Sequence, residues 1–307
     1  MYRNTFLSVM FLACCFNGSL CAQSDAQIYE RTCDAKTYPF SDPSPVATPN
    51  NSYYPYFRFD GFSMQAQEKQ WKMVVLENDY VKLTVTPEIG GKIWGAIDKV
   101  NNKEFVYTNG VVKFRDVAMR GPWTSGGIEF NFGIIGHAPT CSTPIDYLTK
   151  KNVDGSVSCH IFSYEWITRT VWNVEINLPK DKAYFTTHTT WFNQSSIDQP
   201  YYQWMNAGYA TKTGTRFYYP GTYSIGHSGD LHPYPIDEEG RDVSWYDNNN
   251  FGASKSLHII GDYNDYFGIY WHNEKHGSAH YSNYDEKLGM KFYLWSFHVK
   301  GPSGKNY

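Results

Sequence analysis

An all-β protein, built as a sandwich of two large and mainly antiparallel sheets, is predicted by three features of the sequence. Aromatic residues make up 18% of the 307 residues, and aromatic side chains favour strands. From residue 71 onward, apolar and polar residues alternate in runs that are separated by turn-forming residues. No window has the 3.6-residue apolar period and the caps of an amphipathic helix. Many antiparallel strands over such a length favour two stacked sheets over a small barrel.

Residues 1–22 have the features of a secretory signal peptide. Arg3 precedes an apolar run that is too short to span a bilayer, and Ala22 provides a small residue for cleavage. We therefore expect an exported protein, in the periplasm, at the cell surface or secreted. A lipoprotein attached through Cys14 fits less well, because the residues before that cysteine depart from the lipoprotein pattern.

Removal of this leader would leave three cysteines, Cys33, Cys141 and Cys159. An odd number allows one disulfide at most, and export would permit it. The pair Cys141–Cys159 is the first to test, because it would close a short loop. No C-x-x-C spacing indicates a metal site.

Residues 23–71 are expected to form an N-terminal arm or linker, because TYPFSDPSPVATPNNSYYPY is rich in proline, serine and asparagine. Residues 72–307 are expected to form the sandwich domain. Its strands are predicted in WKMVVLENDYVKLTVTPEIGGKIWGAIDKVNNKEFVYT, VSCHIFSYEWITRTVWNVEINLP, AYFTTHTTWFNQ, PYYQWMNAGYAT, SLHIIGDYNDYFGIYWHN and KLGMKFYLWSF. Residues 219–250 are predicted to form a long loop, and loops of that length tend to be functional.

The charge and the composition exclude some partners and favour others. The formal net charge is −3 without a long run of either sign, so neither a nucleic-acid partner nor a polybasic membrane patch is expected. After the leader, no segment is long and apolar enough for a membrane helix. The 26 tyrosines and 10 tryptophans offer flat rings with polar edges, which suit sugars. The alternative is that a large sheet protein needs an aromatic core, and composition alone favours that alternative.

The stretch RGPWTSGGIEFNFGIIGHAPT gathers residues that a plain hairpin does not need. In a strand, Glu129 and Asn131 share one face, because alternate side chains point to the same side. The pair Gly126 and Gly127 lets the backbone bend or approach a ligand closely. His137 is suited to moving a proton near neutral pH, and Asp146 could orient it or bind sugar hydroxyls.

These residues predict a polar cluster at the floor of a sugar-binding cleft. The catalytic candidates are Glu129, His137 and Asp146, and the substrate-binding candidates are Arg120, Trp123, Asn131, Trp204, Asn206 and His227. If the reaction is glycoside cleavage, a second carboxyl is needed, and Asp146, Glu165 and Asp230 are candidates. The alternative for Glu129 is a structural salt bridge with Arg120 or Arg169. For the tryptophans it is core packing.

Neither a metal nor another cofactor is expected. The segment HNEKHGSAH spaces three histidines four residues apart, as helical metal ligands would be. Its glycine and the surrounding strand pattern argue against a helix, so the segment does not predict a metal site.

Four parts of the chain resemble known families. The segment DYVKLTVTPEIGGKIWGAIDKVNNKEFVYTN resembles the opening of aldose 1-epimerase (galactose mutarotase) domains. The residues from Arg120 to Asp146 carry the pattern RG-W-SGG-E-NF---GH-PT---P-D and are similar to the DUF5107 family. The segments YYQWMNAGY and DYFGIYWHNEKHGSAHYSNYDEKLGMKFYLW are similar to the same family, so the resemblance runs from about Asp79 to Trp295.

The resemblance implies a galactose mutarotase-like supersandwich with a sugar-binding cleft, and a carbohydrate-active enzyme, either a glycoside hydrolase or an aldose 1-epimerase-like isomerase. Two departures leave alternatives open. Mutarotases have a histidine on the strand where this chain has Trp204 and Asn206. The related domains also continue into an acidic segment where this chain ends SFHVKGPSGKNY, so C-terminal strands are expected to be missing. A non-catalytic carbohydrate-binding module and an inactive truncated copy are therefore the alternatives.

Overall fold

The fold consists of β-strands and short single-turn helices. The computed structural model describes residues 24–40, 62–116, 122–133, 137–165, 168–200, 202–252, 254–261, 265–283, 285–286 and 289–294. The expected leader and Arg120 lie outside these ranges. Within the described ranges, no helix is long and apolar enough to cross a membrane. The predicted all-β class is confirmed.

The strands are numbered in chain order. The first nine are β1 (Gln27–Tyr38), β2 (Gln67–Glu77), β3 (Val81–Thr86), β4 (Lys92–Asp98), β5 (Lys103–Val106), β6 (Val112–Lys113), β7 (Arg115–Asp116), β8 (Pro122–Trp123) and β9 (Ile128–Phe132). The next six are β10 (Asp146–Lys151), β11 (Val157–Glu165), β12 (Thr170–Leu178), β13 (Thr186–Asn193), β14 (Gln203–Ala207) and β15 (Thr215–Tyr218). The last six are β16 (Tyr223–Ile225), β17 (Leu231–Pro233), β18 (Lys255–Ile260), β19 (Tyr266–Trp271), β20 (His276–Tyr281) and β21 (Met290–Leu294). Short 3-10 helices span Pro139–Ser142, Tyr246–Asn248 and His272–Glu274.

The first sandwich stacks the largest sheet on a four-stranded sheet. The larger sheet has the order β14-β9-β4-β3-β2-β1-β6, with β5 paired to β4, and the smaller has the order β10-β11-β12-β13. Their shared core contains Leu83 and Phe130 from one sheet and Ile161, Trp172 and Ile176 from the other. Along β12 buried and half-buried positions alternate, as expected for a strand with one face on a core.

A second sandwich stacks the sheet β15-β19-β20 on the sheet β17-β16-β18-β21. Its core contains Phe217 and Trp271 from the first of these sheets and Ile259 and Phe292 from the second. Phe105 packs against the cores of both sandwiches, so the two sandwiches adjoin through this side chain.

The arm expected over residues 23–71 contains β1 and the first residues of β2. β1 pairs antiparallel with β2 from Gln27 opposite Glu77 to Thr37 opposite Gln67. The expected boundary at residue 72 therefore falls inside a strand, and β1 belongs to the large sheet. β1 reads QIYERTCDAKTY and is exposed at most positions, so it lacks the apolar alternation by which the other strands were predicted.

The long loop expected over residues 219–250 contains two short strands. β16 pairs with β17, with Tyr223 opposite Pro233, and β16 also pairs with β18. Strands of three residues are too short to produce a periodic signal in the sequence, which is why the sequence predicts a loop in this region.

The cysteines of the described chain, Cys33, Cys141 and Cys159, are thiols, so the pair Cys141–Cys159 is not joined in this structure. Burial raises the pKa of Cys141 well above its usual value and that of Cys159 to about 12. Both buried thiols are therefore protonated and poorly reactive at neutral pH.

Candidate functional site

The Gly126–Gly127 turn brings β9 against β4. Both glycines have positive φ values, +76° and +68°. A Cβ atom on Gly127 would overlap the backbone oxygen of Ile93, and one on Gly126 would lie 2.9 Å from the backbone oxygen of Tyr107. Only glycine therefore permits this close approach, which gives the pair the role in backbone bending that the sequence predicted.

Glu129 and His137 are in direct contact. The imidazole Nδ1 of His137 lies 2.5 Å from Oε1 of Glu129. The side chain of Asn131 donates to the same carboxylate oxygen at 2.8 Å, and its Oδ1 accepts the backbone N–H of Ala138 at 2.7 Å. Asn131 thus ties the strand that carries Glu129 to the backbone next to His137.

A buried lysine, which sequence patterns did not reveal, completes the cluster. Lys92 and Glu129 are each only 2% exposed, and Nζ of Lys92 lies 4.0 Å from Oε2 of Glu129. The ammonium group also donates to the backbone oxygen of Thr124 and to its hydroxyl at 3.2 Å. Oε2 of Glu129 accepts no hydrogen bond from the described part of the chain. The one sequence feature that could have pointed to Lys92 is that it is a single charged residue within the otherwise uncharged run IGGKIWGAI.

The two ionisable partners of this buried pair shift each other's pKa. Burial alone would raise the pKa of Glu129, but the hydrogen bond to His137 and the charge of Lys92 hold it below its usual value of 4.5. Burial lowers the pKa of Lys92, and the charge of Glu129 opposes that effect. Glu129 is therefore a carboxylate at neutral pH. A carboxylate only accepts hydrogen bonds, so Nδ1 of His137 carries the proton and Nε2 is left for other partners.

The lowered pKa of Glu129 predicts how stability depends on pH. Below about pH 4.5 the unfolded chain binds more protons at this carboxyl than the folded chain does, so its contribution to stability is lost as the pH falls. We expect the difference in unfolding free energy between the wild type and Glu129→Gln to shrink by at most about 1.4 kcal/mol per pH unit. Urea unfolding between pH 7 and pH 3 measures this difference. A difference that stays constant across the range would contradict the assignment.

Two tryptophans flank the imidazole. The His137 ring lies 5.8 Å from the ring of Trp123 and 4.9 Å from the ring of Trp204, edge to face in both cases. The His137 side chain is 15% exposed, whereas that of Glu129 is 3% exposed. The indole N–H of Trp123 is buried and donates to no group of the described chain. The imidazole is therefore the member of the pair that solvent reaches, and it lies between two aromatic rings.

The neighbouring strand β14 adds polar and aromatic side chains to the same face. Trp204 lies opposite Asn131 and Asn206 lies opposite Glu129 in the register of β14 and β9. Directly opposed residues of an antiparallel pair project from the same face. The structure therefore brings together six of the predicted site residues: Trp123, Glu129, Asn131, His137, Trp204 and Asn206.

Two other candidates lie elsewhere. Asp146 is exposed at the start of β10, opposite Phe162 in the four-stranded sheet. The carboxyl that contacts Nδ1 of His137 is that of Glu129, which therefore has the orienting role suggested for Asp146. His227 is exposed in the turn between β16 and β17 of the second sandwich.

The structure also locates the residues considered as a salt-bridge partner of Glu129 or as a second carboxyl group. The cation beside Glu129 is Lys92, whereas Arg169, a suggested salt-bridge partner, is exposed. Glu165 is buried at the end of β11, and its Cγ would lie 3.8 Å from a Cβ atom on Gly133, which directly follows β9. Asp230 is exposed in the turn before β17.

Comparison with known proteins relates this chain to a family and its fold to a solved structure. The chain is similar to the crystal structure of a TPR-domain containing protein from Parabacteroides distasonis, with a TM-score of 0.79 and 22% identity over 90% of the present chain. The match covers 48% of that protein, so the present chain spans about half its length. This likeness shows a shared fold. The model of the family described as "domain of unknown function (DUF5107)" matches residues 48–304, and the chain therefore belongs to that family.

Proposed function

We propose that this chain is an exported, carbohydrate-active protein that binds a sugar beside Trp123 and Trp204 and moves a proton with His137. The observation that carries the proposal is the contact of a partly exposed imidazole with a buried carboxylate, 2.5 Å apart, between two tryptophan rings. The rings would stack on the apolar C–H face of a sugar. The indole N–H of Trp123, which no described group accepts, would serve a sugar hydroxyl.

The ionisation of the pair favours one class of reaction. Glu129 is ionised, so it would orient His137, while Nε2 exchanges a proton with the sugar. Glycoside cleavage instead needs a protonated carboxyl with a raised pKa. We therefore propose an aldose 1-epimerase-like isomerase in a mutarotase-like domain, with a glycoside hydrolase as the second candidate.

In each step of an epimerisation, the removal of one proton is matched by the addition of another. A base removes the proton from the O1 hydroxyl, the C1–O5 bond breaks, and an acid gives a proton to O5. After rotation about the C1–C2 bond the ring closes by the reverse transfers. His137 would perform one of the two transfers.

A sugar panel tests this proposal. The purified chain is incubated with the pure anomers of common aldoses, and mutarotation is followed by polarimetry against a buffer blank. A plant and host glycan panel is read in parallel for released reducing sugar. We expect catalysed mutarotation by the wild type, and loss of turnover with retained sugar affinity in Glu129→Gln.

The same panel separates the alternatives. A non-catalytic carbohydrate-binding module would bind a sugar without turnover in either form. Released reducing sugar without mutarotation would favour the hydrolase. Neither binding nor turnover by the folded wild type would contradict the proposal.

A further inference from the structure

The outward face of the sheet β15-β19-β20 carries a second group of aromatic side chains. On the inward face Phe217, Ile269 and Trp271 are 5–6% exposed and pack in the core of the second sandwich. Because side chains alternate along a strand, the residues beside them, such as Tyr218 and Tyr270, project outward. This face belongs to the second sandwich and shares no residue with the Glu129 cluster.

Tyrosines and very small residues share this outward face. Tyr266 and Tyr281 lie opposite each other and are 54% and 71% exposed, and Tyr218 is 39% exposed. Gly268 lies between Tyr266 and Tyr270 on β19, so these two tyrosines stand about 13 Å apart at about 3.3 Å per residue. That separation is longer than a single pyranose ring.

The small residues form the floor of a groove. A Cβ atom on Gly277 would lie 2.6 Å from the Tyr270 ring, so the ring lies closely over β20. The groove is shallow and open to solvent, with a volume of about 520 Å³. Its outward-facing lining residues are Tyr218, Tyr266, Gly268, Tyr270, Gly277 and Ala279.

The charge of the groove restricts its occupant. None of the described residues that line it is charged. The cation on the same face, Arg216, contacts the rings of Tyr218 and Trp245, with its central carbon 5.2 Å and 5.1 Å from their centroids. The hydroxyl of Tyr218 is already hydrogen-bonded to His272 at 3.1 Å. An uncharged occupant that combines apolar faces with hydroxyl groups fits this lining.

We propose that the outward face of β15-β19-β20 binds a neutral glycan chain at a site separate from the Glu129–His137 pair. The sugar rings stack on Tyr266 and Tyr270 along β19, and Gly268, which has no side chain, leaves room for the glycan between them. A carbohydrate polymer, rather than a monosaccharide, is the ligand, because the two tyrosines leave the backbone about 13 Å apart along β19, further than one sugar ring spans.

Affinity electrophoresis tests this site. The wild type is run in native gels that contain hydroxyethylcellulose, glucomannan, xylan or galactan. We expect retardation by at least one of these polysaccharides, and about tenfold weaker binding by the double variant Tyr266→Ala, Tyr270→Ala. The matched double variant with phenylalanine keeps the rings and stays within about threefold of the wild type. The single variant Tyr266→Ala, at an exposed position, gives an intermediate loss even if the change at Tyr270 weakens folding.

Two control variants test whether the expected loss of binding is specific to the tyrosines of this groove. Tyr223→Ala removes a tyrosine that is 48% exposed on a different sheet and leaves retardation unchanged. Tyr29→Ala removes a tyrosine that is 41% exposed on β1 of the first sandwich and also leaves it unchanged. Because the assay reads retardation and not turnover, the groove and the proposed sugar turnover can fail independently. No retardation of the wild type by any of the four polysaccharides overturns the proposal. So does sedimentation showing a dimer that the alanine pair breaks, since that result assigns the face to a second copy of the chain.

Discussion

Replacing His137 by glutamine should lower sugar turnover by about 10²–10⁴-fold while sugar affinity changes little, because the amide cannot carry the proton that the imidazole moves. Glutamine keeps a polar side chain near Glu129, so the fold should be preserved. The measurement is kcat and KM on the sugar that turns over in the panel, together with the dissociation constant from calorimetry.

His232 provides a matched control for that substitution. Its Nδ1 lies 2.9 Å from Oε1 of Glu238, which repeats the histidine–carboxylate contact. Both of these side chains are about half exposed, at 48% and 52%. His232→Gln should leave kcat unchanged, because this pair lies in solvent. Equal turnover by His137→Gln and the wild type would remove His137 from the mechanism.

Replacing Lys92 by methionine should destabilise the chain by about 3–5 kcal/mol, because it leaves the buried carboxylate of Glu129 without its cation. The backbone oxygen of Thr124 would also lose its donor. The measurement is the free energy of urea unfolding at pH 7. The double variant Lys92→Met, Glu129→Gln should lose less than the sum of the two single changes, with a coupling energy of at least about 1 kcal/mol.

A surface pair provides the control for the buried one. Lys82 lies 3.5 Å from Glu77, and both side chains are more than a quarter exposed. Lys82→Met should change the unfolding free energy by less than about 1 kcal/mol, since exposed ion pairs are worth little. If Lys92→Met were as stable as Lys82→Met, the charge of Lys92 would not matter for the fold.

Most of the fold could be predicted because the core strands alternate. β12 is buried at every second position, and that alternation is visible in TVWNVEINL. β1 could not be predicted in this way, because most of its positions are exposed. It joins the large sheet through backbone pairing with β2, which leaves no apolar alternation in the sequence. The pair β16 and β17 was missed for a different reason, since three residues are too few to display a period.

The site was predictable only as far as it lies within one stretch of chain. Glu129 and His137 are close in sequence, and one motif suggested both. Lys92 belongs to β4, which meets β9 where Ile93 lies opposite Ile128, and residue patterns do not reveal such long-range pairing. Asp146 was a candidate because it is close to His137 in sequence. The chain enters β10 at this residue, so the expected contact is not made.

The side-chain amide of Asn131 helps to fix the relative positions of Glu129 and His137. One end of its amide holds the carboxylate that fixes the proton on His137, and the other end holds the N–H of Ala138, the next residue along. Both the carboxylate and the backbone that carries the imidazole are therefore held by the same amide. If His137 moves a proton as proposed, its contact with Glu129 is formed before any ligand arrives, so no part of the ligand's binding free energy is consumed in assembling it.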